Sequence, residues 1–146
     1  MRSAARFYAT QALFQMEAAG VGLAEVQEEF ETHRLGAVID GVTYAEPDLA
    51  HFRALLAAAV SEQARIDQMT HRALVARWPI DRIDPTLRAL FRAAGAELVA
   101  TDTPPKVTIN EYVDVSKAFY PEGKESKFVN GVLDHMARDA QPQAFA

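Results

Sequence analysis

The stretch Lys127-Phe128-Val129-Asn130-Gly131-Val132-Leu133-Asp134 decides how the chain is read. Phe128, Val132 and Met136 recur every fourth residue beside Val129 and Leu133. That is the period of a helix with one apolar face, and it predicts a final helix from about Glu125 to Asp139. Gly131 falls inside it, where glycine costs roughly 0.5–1 kcal/mol relative to alanine. The expectation is that a neighbouring helix passes close to that point and leaves no room for a side chain.

The same period continues upstream. Thr103-Pro104-Pro105 breaks the chain, and Thr108 or Asn110 can open a helix carrying Ile109, Tyr112, Val113, Val115 and Phe119 that ends at Pro121 and Gly123. Asp84-Pro85 is a strong helix start, a capping carboxylate followed by a proline where an amide donor is not needed. Leu87, Leu90, Phe91, Ala94 and Leu98 follow it. Pro47-Asp48 leads into Leu49, Phe52, Leu55, Leu56, Ala59 and Val60, an amphipathic run. Ile66, Met69, Leu74 and Val75 continue as a separate helix expected to end at Trp78, because Pro79 disfavours helical geometry before it. Near the start, Ser3 can cap a helix through Gln15 with Gly20 as its stop. Leu23 to about Arg34 carries Glu25, Glu28, Glu29 and Glu31 on a solvated face, and Leu35 to Pro47 reads as a loop. Strand signals are scarce. The prediction is an all-α, compact single domain over 1–146, with about seven helices in two subgroups, about 1–78 and 79–140.

Length and composition agree with one domain: 146 residues, 49% of them apolar, supply a core. There is no cysteine, so disulfides and thiol chemistry are excluded, and a cytoplasmic location is the expectation. No run approaches the roughly 18 apolar residues of a membrane span, and no membrane partner is expected. The net charge of -5 argues against a generic polyanion binder. The charge is uneven, however. Met1 to Met16 holds Arg2 and Arg6 with no carboxylate, so any RNA surface must be local and small.

Signatures of catalysis are missing. His33, His51, His71 and His135 lie on separate segments without metal-ligand spacing and read as surface or capping residues; no metal and no cofactor are expected. Gly20-Val21-Gly22 lacks the third glycine of a dinucleotide loop, and no GxxxxGK[ST] pattern occurs. Asp81 and Asp84 are spaced like a carboxylate pair, but their place before Pro85 favours capping.

A binding surface has better support. Arg2 and Arg6 are four apart at a helix start, so both can point one way, and guanidinium groups suit phosphates. The alternative is a solvated N-terminus. Lys124 and Lys127 stand near the start of the last helix, where exposed amides favour anions. Phe128 can stack on an unpaired base or be buried beside Val132. The helix from Asp84 to Thr101 is expected to expose Arg88, Arg92 and Glu97, a polar face suited to a protein partner.

Three segments together resemble the NusB family of bacterial transcription antitermination factors. Lys106-Val107-Thr108-Ile109-Asn110-Glu111 with Ser116-Lys117 resembles its KVxINE segment and (A/S)K ending, Lys127 to Asp134 its KFVNGVLD, and Gln11-Ala12-Leu13-Phe14 its QALY or QALF. The resemblance implies a small all-α, non-enzymatic RNA-binding factor. It would pair with NusE, a small-subunit ribosomal protein, on the boxA RNA of ribosomal RNA transcripts, within a complex that makes RNA polymerase resistant to termination. It also implies an RNA surface at Arg2, Arg6, Lys127 and Phe128. Asn110 and Glu111 are read as helix-starting and packing residues.

Two departures stand out. Ser3 and Ala4 occupy positions where relatives often carry arginines, which predicts weak RNA affinity without NusE. The loop Tyr120 to Glu125 looks one residue longer. Alternatives are the NusB-like domain of ribosomal RNA cytosine methyltransferases, against which the absence of a methyltransferase region argues, and a protein-binding helical adaptor. Monomer and homodimer are both compatible with the apolar content.

Overall fold

The structure is a computed structural model that describes residues 2–33, 38–39, 42–43, 48–74 and 83–145. Among them lie seven α-helices: α1 (Arg2–Ala19), α2 (Leu23–His33), α3 (Leu49–Ser61), α4 (Gln63–Leu74), α5 (Pro85–Ala100), α6 (Pro105–Phe119) and α7 (Ser126–Ala140). A 3-10 turn, Pro142–Phe145, follows. Within the stretch expected to be a loop, β1 (Val38–Ile39) and β2 (Val42–Thr43) form a minimal antiparallel pair, with Val38 opposite Thr43 and Ile39 opposite Val42. The expected end at Trp78 falls outside the described residues.

Local chemistry sets most boundaries. Gly20 takes φ +68°, and its N–H donates to the Met16 carbonyl at 3.0 Å, closing α1. Asp48 caps α3 by accepting from the His51 amide at 2.9 Å. Asp84 caps α5 through the Thr86 amide at 2.7 Å, with Pro85 in the first turn. Two starts are misplaced by sequence: α1 begins at Arg2, so Ser3 lies inside the helix and does not cap it, and α6 begins at Pro105 and not at Thr108 or Asn110. Pro105 opens the helix because its missing N–H is not needed there, and the Pro104 carbonyl accepts from Val107 and Thr108.

At the centre stands α5. Leu87, Ala89, Leu90, Phe91 and every residue from Ala93 to Leu98 are buried, as expected of a helix enclosed on nearly all sides. It contacts α1, α3, α4, α6 and α7. Helices from both expected subgroups therefore share one apolar cluster, running from Ala5 and Ala9 through Phe52 and Leu55 to Leu133 and Met136. Close approach is made at Gly95, where a Cβ would stand 2.4 Å from Ile66 Cγ2 of α4. Gly131 plays no such part. Nothing lies within 4 Å of its Cβ position, and it is exposed, so the expectation of a crossing helix there is corrected. No helix among the described residues is long and apolar enough to cross a membrane.

Candidate nucleic-acid interface

The N-terminal arginines part company. Arg2 keeps 51% of its side chain exposed, with Nε 3.7 Å from Asp48 Oδ2. Arg6, one turn later, points inward with only 4% of its side chain exposed. Its Nε donates to both Glu97 oxygens at 2.9 and 3.1 Å and its Nη2 to Oε2 at 2.7 Å. Arg6 is thus not a surface guanidinium, and the expectation that it binds RNA beside Arg2 is corrected. The reason is that α1 packs its Arg6 face against α5.

The expected exposure of Glu97 fails for the same reason: it is fully buried on α5. Around its carboxylate gather Arg6 from α1, His51 Nε2 from α3 at 3.2 Å, and the Tyr112 hydroxyl from α6, which donates to Oε1 at 3.2 Å. Burial pushes the Glu97 carboxyl upward, but contacts from His51 and Arg6 and the charge of Arg6 outweigh it and hold the group at about 2. Burial, then the Glu97 charge, pushes the Tyr112 hydroxyl well up, so it stays a neutral donor. His51 is therefore buried, contrary to the expectation of a surface or capping residue. Glu97 was legible only as a lone acid among Ala93, Ala94, Ala96 and Leu98; nothing local names its partners.

Arg88 and Arg92 are only partly exposed, at 12% and 17% of their side chains. Arg92 makes a two-pronged pair with Asp67, both contacts 3.0 Å, and Arg88 reaches Glu17 at 2.6 Å. These pairs latch α5 to α4 and α1. Since Arg6 meets Glu97 near the end of α5 and Glu17 meets Arg88 near its start, α1 and α5 run antiparallel.

Between the later half of α1 and the adjoining ends of α5 and α6 runs a groove of about 450 Å³, lined by Gln11, Phe14, Gln15, Ala18, Thr86 and Phe119. Phe7 stacks on Phe119 with centroids 5.1 Å apart, and Phe14 is 38% exposed. Phe14 lies off the Ala5-Ala9-Ala12-Leu13 stripe, which was the sequence signal for an aromatic facing solvent. A second depression of about 440 Å³ on α2 carries Glu28 and Glu31, the wrong sign for a polyanion.

At the start of α7, Lys127 is exposed and Phe128 is half-buried, its ring edge-on to Phe91 with centroids 6.3 Å apart. Lys124 lies in the preceding turn, 3.3 Å from Glu122, both side chains nearly fully exposed. Arg2 and the groove are separated along α1, since Arg2 to Phe14 spans about 18 Å of helix.

Residues 3–138 match the model of the NusB family. The chain belongs to the NusB family. The transcription antitermination protein NusB of Brucella abortus (strain S19) is 50% identical over 137 residues, 93% of this chain and 80% of that protein. Among solved structures, T. maritima NusB superposes with a TM-score of 0.77 at 28% identity, covering 99% of this chain and 96% of that one. A chain from a crystal structure of the antitermination factors NusB and NusE in complex with dsRNA gives 0.74 at 25% identity, covering 94% and 96%. NusB structures thus share the arrangement of helices around α5.

Proposed function

We propose that this NusB-family chain is a transcription antitermination factor that holds RNA together with NusE, and that the RNA is the boxA element of ribosomal RNA transcripts. The observation that carries this reading is the match over nearly the whole chain to a NusB family member and to a NusB chain from a complex with NusE and RNA. Cytoplasmic action follows from that role. The residues suit single-stranded RNA. Arg2 provides a cation at one end, Phe14 offers an aromatic surface in the groove, and Lys127 with Lys124 supplies charge near the start of α7. Phe128 backs that end through Phe91 and presents the remainder of its ring. For the protein partner, the edge formed by Arg88, Glu17, Arg92 and Asp67 has the charged, part-exposed character of non-obligate interfaces.

Titration of boxA RNA and a scrambled RNA with the chain alone and with NusE tests this. The expected result is weak binding alone and a NusE-dependent, sequence-selective gain. Equal affinity for both RNAs in the presence of NusE would overturn the reading.

A further inference from the structure

Helix α1 opens with a conflict. The N-terminus of a helix carries partial positive charge, yet its first turns hold Arg2 and Arg6 and its first turn has no acidic residue. Carboxylates from three other helices surround that start. Asp48, the cap of α3, stands near Arg2, and Glu97 of α5 grips Arg6. Glu111 of α6 completes the set: its Oε2 accepts from the Ser3 hydroxyl at 3.1 Å and lies 3.5 Å from Arg6 Nη1. Glu97 is enclosed in the core and Asp48 caps a helix. Glu111 differs, because its side chain is about one-third exposed and both of these contacts go to α1.

We infer that Glu111 is a positioning residue for RNA binding: it clips the first turns of α1 from α6 and so fixes where Arg2 stands before RNA arrives. The inference rests on the RNA-binding reading above. An ordered first turn spares the complex the cost of immobilising a frayed end and a long side chain. Charge alone predicts the opposite effect, since a carboxylate beside an RNA path repels phosphates and its removal should tighten binding. The two accounts differ in sign.

The test is RNA titration at one salt concentration in the presence of NusE, with the full chain in wild-type and Arg2→Ala backgrounds. Glu111→Ala should weaken binding roughly threefold or more in the wild-type background and change little once Arg2 is alanine. Glu111→Gln keeps an acceptor for the Ser3 hydroxyl and should retain most of the affinity. Ser3→Ala removes only a surface hydroxyl, so it leaves the fold intact and should reproduce part of the loss. Tighter binding by Glu111→Ala, an equal loss in both backgrounds, or unchanged affinity for Ser3→Ala would each overturn the inference. Failure of the wild-type chain to bind RNA would remove the parent reading, and is seen before any variant is compared.

Discussion

Arg6 and Glu97 set the chemistry at the scale of single residues. Both are charged and almost fully enclosed, a combination that persists only when each ion has a partner. Breaking such a pair from one side leaves a buried charge, so Glu97→Gln should lower stability at neutral pH by about 3–5 kcal/mol in denaturant unfolding. The effect has a pH signature. Glu97 is held at about 2 against an ordinary 4.5. Its ionised form therefore contributes stability that is fully present above about pH 4.5 and is lost as pH falls toward 2. That range corresponds to about 3 kcal/mol. The stability gap between wild type and Glu97→Gln should shrink across that window. A gap independent of pH would show that the fold does not hold the carboxyl below its ordinary range. Arg2, four residues before Arg6 and identical in type, faces the solvent. Sequence spacing put the two on one side of a helix; it could not say that a buried carboxylate waited opposite only one of them, Arg2 meeting the part-exposed Asp48 instead.

Glycines separate the helices by how tightly they pack. Gly95 sits where α5 meets α4, and alanine there would press into Ile66. Gly95→Ala should destabilise by about 1–3 kcal/mol, and Ile66→Ala should cost less in that background than in the wild-type chain. Gly131 on α7 has open space around it, so Gly131→Ala should stabilise by about 0.5–1 kcal/mol through helix propensity. Urea unfolding of both variants checks the pair, and destabilisation by Gly131→Ala would mean that α7 is packed on that side. Reading Gly131 as a crossing point was reasonable from its helical context. Gly95 carried the same local signal, and only the approach of α4 distinguishes the two. The helix starts at Asp48 and Asp84 were legible because a cap and its amide lie within three residues of one another. Pro105 was misread because a proline can break a helix or open one, and its neighbours do not choose.

The whole molecule is a cage of helices around α5, and this explains why part of its arginine charge is withheld from RNA. Arg6, Arg88 and Arg92 are consumed in holding helices together. Of the exposed cations, Arg2 stands at the start of α1 and Lys124 with Lys127 near the start of α7. With these three cations at the proposed RNA surface, the logarithm of RNA affinity should fall with the logarithm of salt at a slope of about -2, by roughly 0.7 per phosphate on a single strand. Arg2→Ala should reduce that slope by close to one contact's worth while circular dichroism shows unchanged helix content. A slope that does not respond to Arg2→Ala would place the RNA elsewhere. The net charge of -5 pointed in this direction from the start, since a strongly cationic surface was never available.

By itself the sequence determined what depends on neighbours along the chain. Apolar residues at helical spacing produce the helices, Gly20 ends α1, Asp84-Pro85 begins α5, and Lys106 to Glu111 with Lys127 to Asp134 carry the family resemblance. The tertiary structure alone decided what stands across from each face. It turned Arg6, His51 and Glu97 into one buried cluster, gave Gly95 the close contact expected at Gly131, and brought Phe14 beside Phe119 as a groove. A helical period fixes which residues share a face, whereas burial and pairing depend on residues tens of positions away, as in the 91-residue separation between Arg6 and Glu97.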